Sequence, residues 1–168
     1  TAGTMTLGIW GENYNTNQMV KMLNCCLENN ITTFDHADIY GSYTTEASFG
    51  KAFGESQIKR EKIQLVSKCG IEHTEGRNNK IKHYNYSKNY LIWSVENSLK
   101  NLQTDYLDAL LLHRPSPLMQ ADEIAEAIGK LKKEGKIKAF GVSNFSSMRT
   151  ELIKQKTKVE YNQIQFSA

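Results

Sequence analysis

No apolar run in the 168 residues approaches the roughly 20 that a membrane-spanning helix requires, so nothing points to a membrane partner. No charge of one sign dominates. The 21 basic and 18 acidic side chains leave a net +3, which gives no reason to expect nucleic acid. The three cysteines make no disulfide framework, because Cys25 and Cys26 are neighbours and Cys69 stands alone. Reduced thiols in a cytoplasmic protein are the expectation. The four histidines are scattered, without metal-ligand spacing to the cysteines, so no metal is expected. The opening Thr1-Ala2-Gly3-Thr4 lacks a methionine and has neither the basic end nor the apolar stretch of a signal peptide. The natural chain is therefore expected to begin earlier. Repeats, low-complexity stretches and interdomain linkers are also missing.

What is present is an alternation of short apolar runs with longer helical ones. Strands are predicted at Met5–Trp10, Thr32–Ala37, Ile63–Lys68, Tyr106–His113, Ile137–Val142 and Val159–Phe166. Helices are predicted at Thr16–Asn29, with Met19, Leu23, Cys26 and Leu27 on one face, and at Thr45–Gly54, where Gly50 weakens the pattern. A third follows the cap Ser87, with Leu91, Val95, Leu99 and Leu102 at helical spacing. Asp122–Glu134 has acids first, lysines last and Gly135 beyond, which suits the helix dipole and a C-terminal cap. Lys130, Lys132 and Lys133 then read as a solvated helix end. Ser146–Lys156 makes a short fifth helix, and Gly70–Tyr86 a long polar loop of the kind kept for function.

Strands alternating with helices imply a parallel sheet, either doubly wound or a (β/α)8 barrel. A doubly wound sheet concentrates its signal in a glycine-rich turn after the first strand, and Gly8-Ile9-Trp10-Gly11-Glu12-Asn13 is no such turn. Instead Asp35, Lys68, His113, Asn144 and Gln165 all fall at or near different strand ends. A barrel gathers those ends on one face, where active sites form. The prediction is a (β/α)8 barrel of which the chain holds about six units.

Each of these residues also has a structural use. Asp35 suits a turn, Tyr40 can pack its ring, His113 can sit in a core, and Ser143 or Asn144 can cap the helix near Ser146. Five such coincidences at five strand ends make the joint functional reading the better one. His36 should point away from Asp35, as neighbours on a strand do. Trp10 either lines a substrate pocket or plugs the barrel.

Five segments, in order, resemble the aldo-keto reductase superfamily, especially its bacterial oxidoreductase members. They are Phe34-Asp35-His36-Ala37-Asp38-Ile39-Tyr40-Gly41, Val66-Ser67-Lys68-Cys69-Gly70, Leu111-Leu112-His113-Arg114-Pro115, Gly141-Val142-Ser143-Asn144-Phe145 and Asn162-Gln163-Ile164-Gln165. The resemblance implies a single barrel domain over residues 1–168 and an NADPH-dependent reductase of small aldehydes or ketones, with NADH as the alternative cofactor. Tyr40 would be the general acid and Lys68 would lower its pKa, with Asp35 compensating Lys68. His113 would orient the substrate carbonyl, and Ser143, Asn144 and Gln165 would grip the nicotinamide carboxamide. The family's last two strands and C-terminal loop are missing, so a longer protein is expected. Two other readings stay open, a nicotinamide-nucleotide-binding regulator of the same fold and a barrel aldolase using Lys68 as Schiff-base nucleophile. Oligomeric state is left open.

Overall fold

The computed structural model describes residues 1–165. Six strands form one parallel sheet: β1 (Ala2–Gly3), β2 (Thr33–Asp35), β3 (Gln64–Cys69), β6 (Leu107–Leu112), β7 (Ile137–Ser143) and β8 (Tyr161–Gln163). They lie side by side in chain order, β1-β2-β3-β6-β7-β8. Each new strand adds to the same edge and the order never reverses, whereas a doubly wound sheet turns back at a switch point. The sheet is part of a (β/α)8 barrel.

Helices α1 (Thr16–Glu28), α3 (Thr45–Glu55), α4 (Lys88–Leu102), α5 (Ala121–Lys133) and α6 (Ser147–Lys154) pack in sequence on the outer face. Asn15 opens α1 with a reciprocal capping box to Gln18, and the side chains of Ser87 and Ser146 cap α4 and α6. Gly50, unfavourable for a helix by propensity, lets α3 approach α4 closely. A methyl group there would lie 2.0 Å from the carbonyl oxygen of Asn101.

Period-two alternation sorts the central strands. Phe34, Leu65, Leu110, Leu112, Phe140 and Val142 face outward into a core shared with Leu23, Phe49, Leu91 and Ile124. Residues between them, including Thr33, Asp35, Val66, Leu111 and Gln163, line the inner face. His36 falls on the outer side. It is fully buried, with Nδ1 3.0 Å from Thr4 Oγ1 and its ring edge-on to Phe49. Burial, with Lys68 adding to it, pushes its pKa down to about 3, so it is a neutral packing residue.

Two predicted elements need correcting. Met5–Trp10 is not a strand but a series of turns, with Leu7 N–H donating to Thr4 C=O and Gly11 N–H to Gly8 C=O. Of its large apolar side chains only Leu7 is buried, while Met5, Ile9 and Trp10 are exposed, so the apolar content did not signal a core face. The first strand lies earlier and pairs Ala2 with Phe34 and Gly3 with Asp35. The loop Gly70–Tyr86 is also not wholly irregular. It carries an antiparallel pair, β4 (Ile71–Glu72) with β5 (His83–Tyr84). The last strand is shorter than predicted, and Phe166 lies outside the described residues.

Asp38 and Glu46 are both buried on the outer side. Asp38 Oδ2 accepts from Ser94 Oγ at 2.8 Å and Tyr90 Oη at 3.3 Å, but Oδ1 has no side-chain partner among the described residues. Burial, then the Glu46 charge, raises Asp38 to about 7. A carboxyl whose folded pKa is raised favours folding fully below its unfolded value, and this contribution is lost as pH rises through about 7. Asp38→Asn, which keeps the shape and removes the charge, should therefore stabilise the fold at about pH 8 by on the order of 1–3 kcal/mol, the cost of holding a poorly partnered charge in the interior. The gain should vanish near pH 4 in denaturant titrations. A gain independent of pH would assign it to packing instead.

Candidate active site

The inner face ends at its C-terminal rim in a cavity of about 270 Å³ lined by Asp35, Tyr40, Lys68, His113, Arg114, Ser143, Asn144, Gln163, Ile164 and Gln165. Strand alternation explains how they meet. Asp35 closes β2, Lys68 lies at the end of β3, His113 follows β6 and Ser143 closes β7. Tyr40 comes from the turn after β2, where Asp38 N–H donates to the Lys68 carbonyl and ties the turn to β3. A single-turn element, α2 (Tyr40–Tyr43), follows, in which Gly41, Ser42 and Tyr43 have φ of 57°, 52° and 71°. Left-handed conformations at Ser42 and Tyr43 are costly for residues with a Cβ, and such strain gathers at functional sites. Asn144, at φ 57°, is a second left-handed position on the same rim.

Lys68 organises the centre. It is only 3% exposed, and its Nζ donates to Asp35 Oδ1 at 2.7 Å, the His36 carbonyl at 2.9 Å and Tyr40 Oη at 3.3 Å. An ammonium has three protons, and these three acceptors use them all. Burial lowers the Lys68 pKa, while the Asp35 carboxylate works in the opposite direction.

Tyr40 departs from expectation. Its pKa is raised to about 12, first by burial and then by the Asp35 charge, with Arg114 pulling it down. The net shift is upward rather than the lowering expected from Lys68, because burial outweighs the charges around the phenol. The consequence is a phenol protonated throughout the neutral range. His113, T-shaped to Tyr40 at 5.9 Å between centroids, is pushed down to about 3 by burial and by the charges of Lys68, Arg114 and Lys82. It is a neutral imidazole, and its buried Nδ1 has no partner among the described residues.

Across the cavity, Asn144 Nδ2 donates to Ser143 Oγ at 3.2 Å, and Asn144 Oδ1 accepts from the Gln165 N–H at 2.9 Å. Asn144 N–H donates to the Gln163 carbonyl, which fixes the turn. A roomier cavity of about 500 Å³ lies deeper, between Val66, Asp108, Leu111 and Tyr161. Its acids are already paired, Asp108 with Arg60 and Lys138, Glu160 with Lys132 and Lys158, so the smaller cavity is the one with chemistry to offer. Among the described residues no group of three or more His, Cys, Asp or Glu is placed to hold a metal, and no helix is long and apolar enough to cross a membrane.

The sequence model of the aldo/keto reductase family matches residues 1–168. The chain belongs to that family. The uncharacterized oxidoreductase YcsN of Bacillus subtilis is 46% identical over 99% of this chain and 56% of its own length. The 6-dehydroglucose reductase of Agrobacterium fabrum is 42% identical over 86% of this chain and 50% of its own. The holo form of aldo-keto reductase AKR11C1 from Bacillus halodurans superposes with a TM-score of 0.83 at 28% identity, covering 98% of this chain and 52% of that one. The chain spans about half the length of the curated relatives it matches.

Seven of the sequence-predicted site residues of this family member line the one cavity: Asp35, Tyr40, Lys68, His113, Ser143, Asn144 and Gln165. Trp10, the eighth, lies beside them, its ring 6.3 Å from that of Tyr40 and half-exposed. Its place at the rim does not depend on the strand first predicted for it. Gln163 and Arg114 also line the cavity, although the sequence reading does not single them out. Both stand inside the segments that resemble the family, Arg114 beside His113 and Gln163 two residues before Gln165, and that nearness is the available signal.

Proposed function

We propose that the protein acts as an NADPH-dependent reductase of small aldehydes or ketones, with residues 1–168 supplying six strands of a single barrel domain. The observation that carries this reading is the ammonium of Lys68 bridging Asp35 Oδ1 at 2.7 Å and Tyr40 Oη at 3.3 Å, beside a neutral His113. A carbonyl oxygen seated between Tyr40 and His113 accepts two hydrogen bonds. As negative charge builds on that oxygen, Tyr40 gives up its proton, and Lys68 stabilises the phenolate left behind. His113, being neutral, orients the carbonyl without competing as an acid.

A reduced nicotinamide, when bound, supplies the hydride. The donor set fits its carboxamide, since Ser143, Asn144 and Gln165 present hydroxyl and amide groups on one rim of the cavity. They would hold the ring by that amide and fix the face it presents. NADPH over NADH rests on family analogy. The name 6-dehydroglucose reductase, carried by a relative, supports carbonyl reduction in general. Three free cysteines suit a cytosolic location.

Lys68 as a Schiff-base nucleophile is the weaker reading, because its ion pair and two further acceptors occupy all its protons. The deciding experiment mixes the full-length chain with one equivalent of NADPH, then NADH, and a reactive aldehyde such as 4-nitrobenzaldehyde. Stoichiometric loss of the reduced-nicotinamide absorbance is expected. Tight nucleotide binding without oxidation would instead favour a regulatory binding protein, and a borohydride-trapped adduct at Lys68 would favour an aldolase.

A further inference from the structure

Arg114 lines the cavity next to His113, at the end of β6. Its backbone is held in both directions by one buried side chain. The Tyr86 hydroxyl donates to the Arg114 carbonyl, and the Arg114 N–H donates back to Tyr86 Oη at 3.2 Å. The guanidinium itself is exposed and has no ion pair or hydrogen bond with any described residue. The one acid among the described lining residues is already engaged. Asp35 is committed to Lys68, and Glu72 to Arg77 and His83 on the β4–β5 pair.

Among the described lining groups, then, the Asp35 and Lys68 charges offset each other, His113 is neutral and Arg114 alone is uncompensated. Its charge reaches the reacting groups, lowering the pKa of Tyr40, Lys68 and His113 alike. Lys82 adds a second positive charge felt at His113. A planar, always-charged fork on a fixed stretch of backbone beside a carbonyl-binding pair is suited to bidentate recognition of a carboxylate.

We propose that Arg114 anchors a negatively charged group on the substrate, so that the site takes carbonyl compounds that also carry a carboxylate. The proposal rests on the reductase reading and narrows its substrate class. An anion could also come from the cofactor's phosphates, and the test separates the two. An exposed ion pair is worth little in water, but a substrate that covers Arg114 also excludes solvent from it.

The test compares 4-carboxybenzaldehyde with its near-isosteric neutral amide, 4-carbamoylbenzaldehyde, in the full-length chain, in Arg114→Gln and in Arg114→Lys. The ratio of kcat/KM for the acid over the amide should fall about tenfold or more in Arg114→Gln, the effect of losing a charge-assisted hydrogen bond, and be partly restored in Arg114→Lys. An unchanged ratio would overturn the proposal and leave the reductase reading standing. A loss confined to cofactor affinity would do the same and assign Arg114 to the phosphates. If neither aldehyde is reduced, the reductase reading fails, and calorimetry decides the anion site alone. Binding of 4-carboxybenzaldehyde that disappears in Arg114→Gln supports the anchor, and no difference between the two chains removes it.

Discussion

Tyr40→Phe should lower the rate of carbonyl reduction by about a hundredfold or more, the usual contribution of a positioned general acid. Nicotinamide affinity should stay near wild type. The two halves of that result come from the layout of the cavity. Tyr40 stands with Lys68 and His113, while the amide and hydroxyl groups suited to the carboxamide come from Ser143, Asn144 and Gln165 on later strands. Removing one hydroxyl leaves the ring edge-on to His113 and Trp10, so packing at the rim is retained. The pH dependence sharpens the test. With its pKa raised to about 12, Tyr40 remains protonated through the neutral range, so the deficit of the variant should be nearly constant from about pH 6 to about pH 9. Stopped-flow reduction of one equivalent of aldehyde separates this chemical step from product release. Wild-type turnover in the variant would remove Tyr40 from the role of proton donor.

Much of this geometry could be read from the chain because strand alternation is simple. A residue at a strand end that is out of phase with the outward core positions must face inward, as Asp35, Lys68 and Ser143 do, while His36 faces the helices. The barrel followed for a similar reason, since chemistry spread over several strand ends requires those ends to converge. What escaped was set by tertiary context. Met5–Trp10 has the apolar content of a strand, yet its chain turns at once after pairing through Thr4, and local composition carries no sign of that. The raised Tyr40 pKa depends on burial and on how near the Asp35 charge lies in space, neither of which is a property of spacing along the sequence. The lining role of Arg114 depends on how the chain turns after β6, which its place next to His113 in the sequence does not specify.

The largest effect on stability should come from Asp35→Ala. The Asp35–Lys68 pair is short and mostly buried, with side chains 15% and 4% exposed. Removing one partner of such a pair leaves the other as an uncompensated charge, which costs about 3–5 kcal/mol. Lys68 would keep only the His36 carbonyl and Tyr40 Oη as acceptors. Its pKa, already lowered by burial, would fall further once the opposing Asp35 charge is gone. A lysine whose folded pKa lies below its unfolded value binds fewer protons when folded, so stability rises with pH between the two values. The deficit of Asp35→Ala should therefore shrink as pH is raised from about 7 toward about 10. Adding Lys68→Met removes the stranded charge, and the double variant should recover much of the lost stability, because an apolar side chain of similar length fills the same space. Catalysis should not recover with it, since no cation remains to hold the phenolate. Denaturant titrations of both single variants and the double variant form a complete cycle, and coupling well above about 0.5 kcal/mol is expected. Additive losses would mean that the two side chains act independently in the folded protein. Recovery of turnover along with stability would be the more damaging result, because it would detach Lys68 from the chemistry assigned to Tyr40.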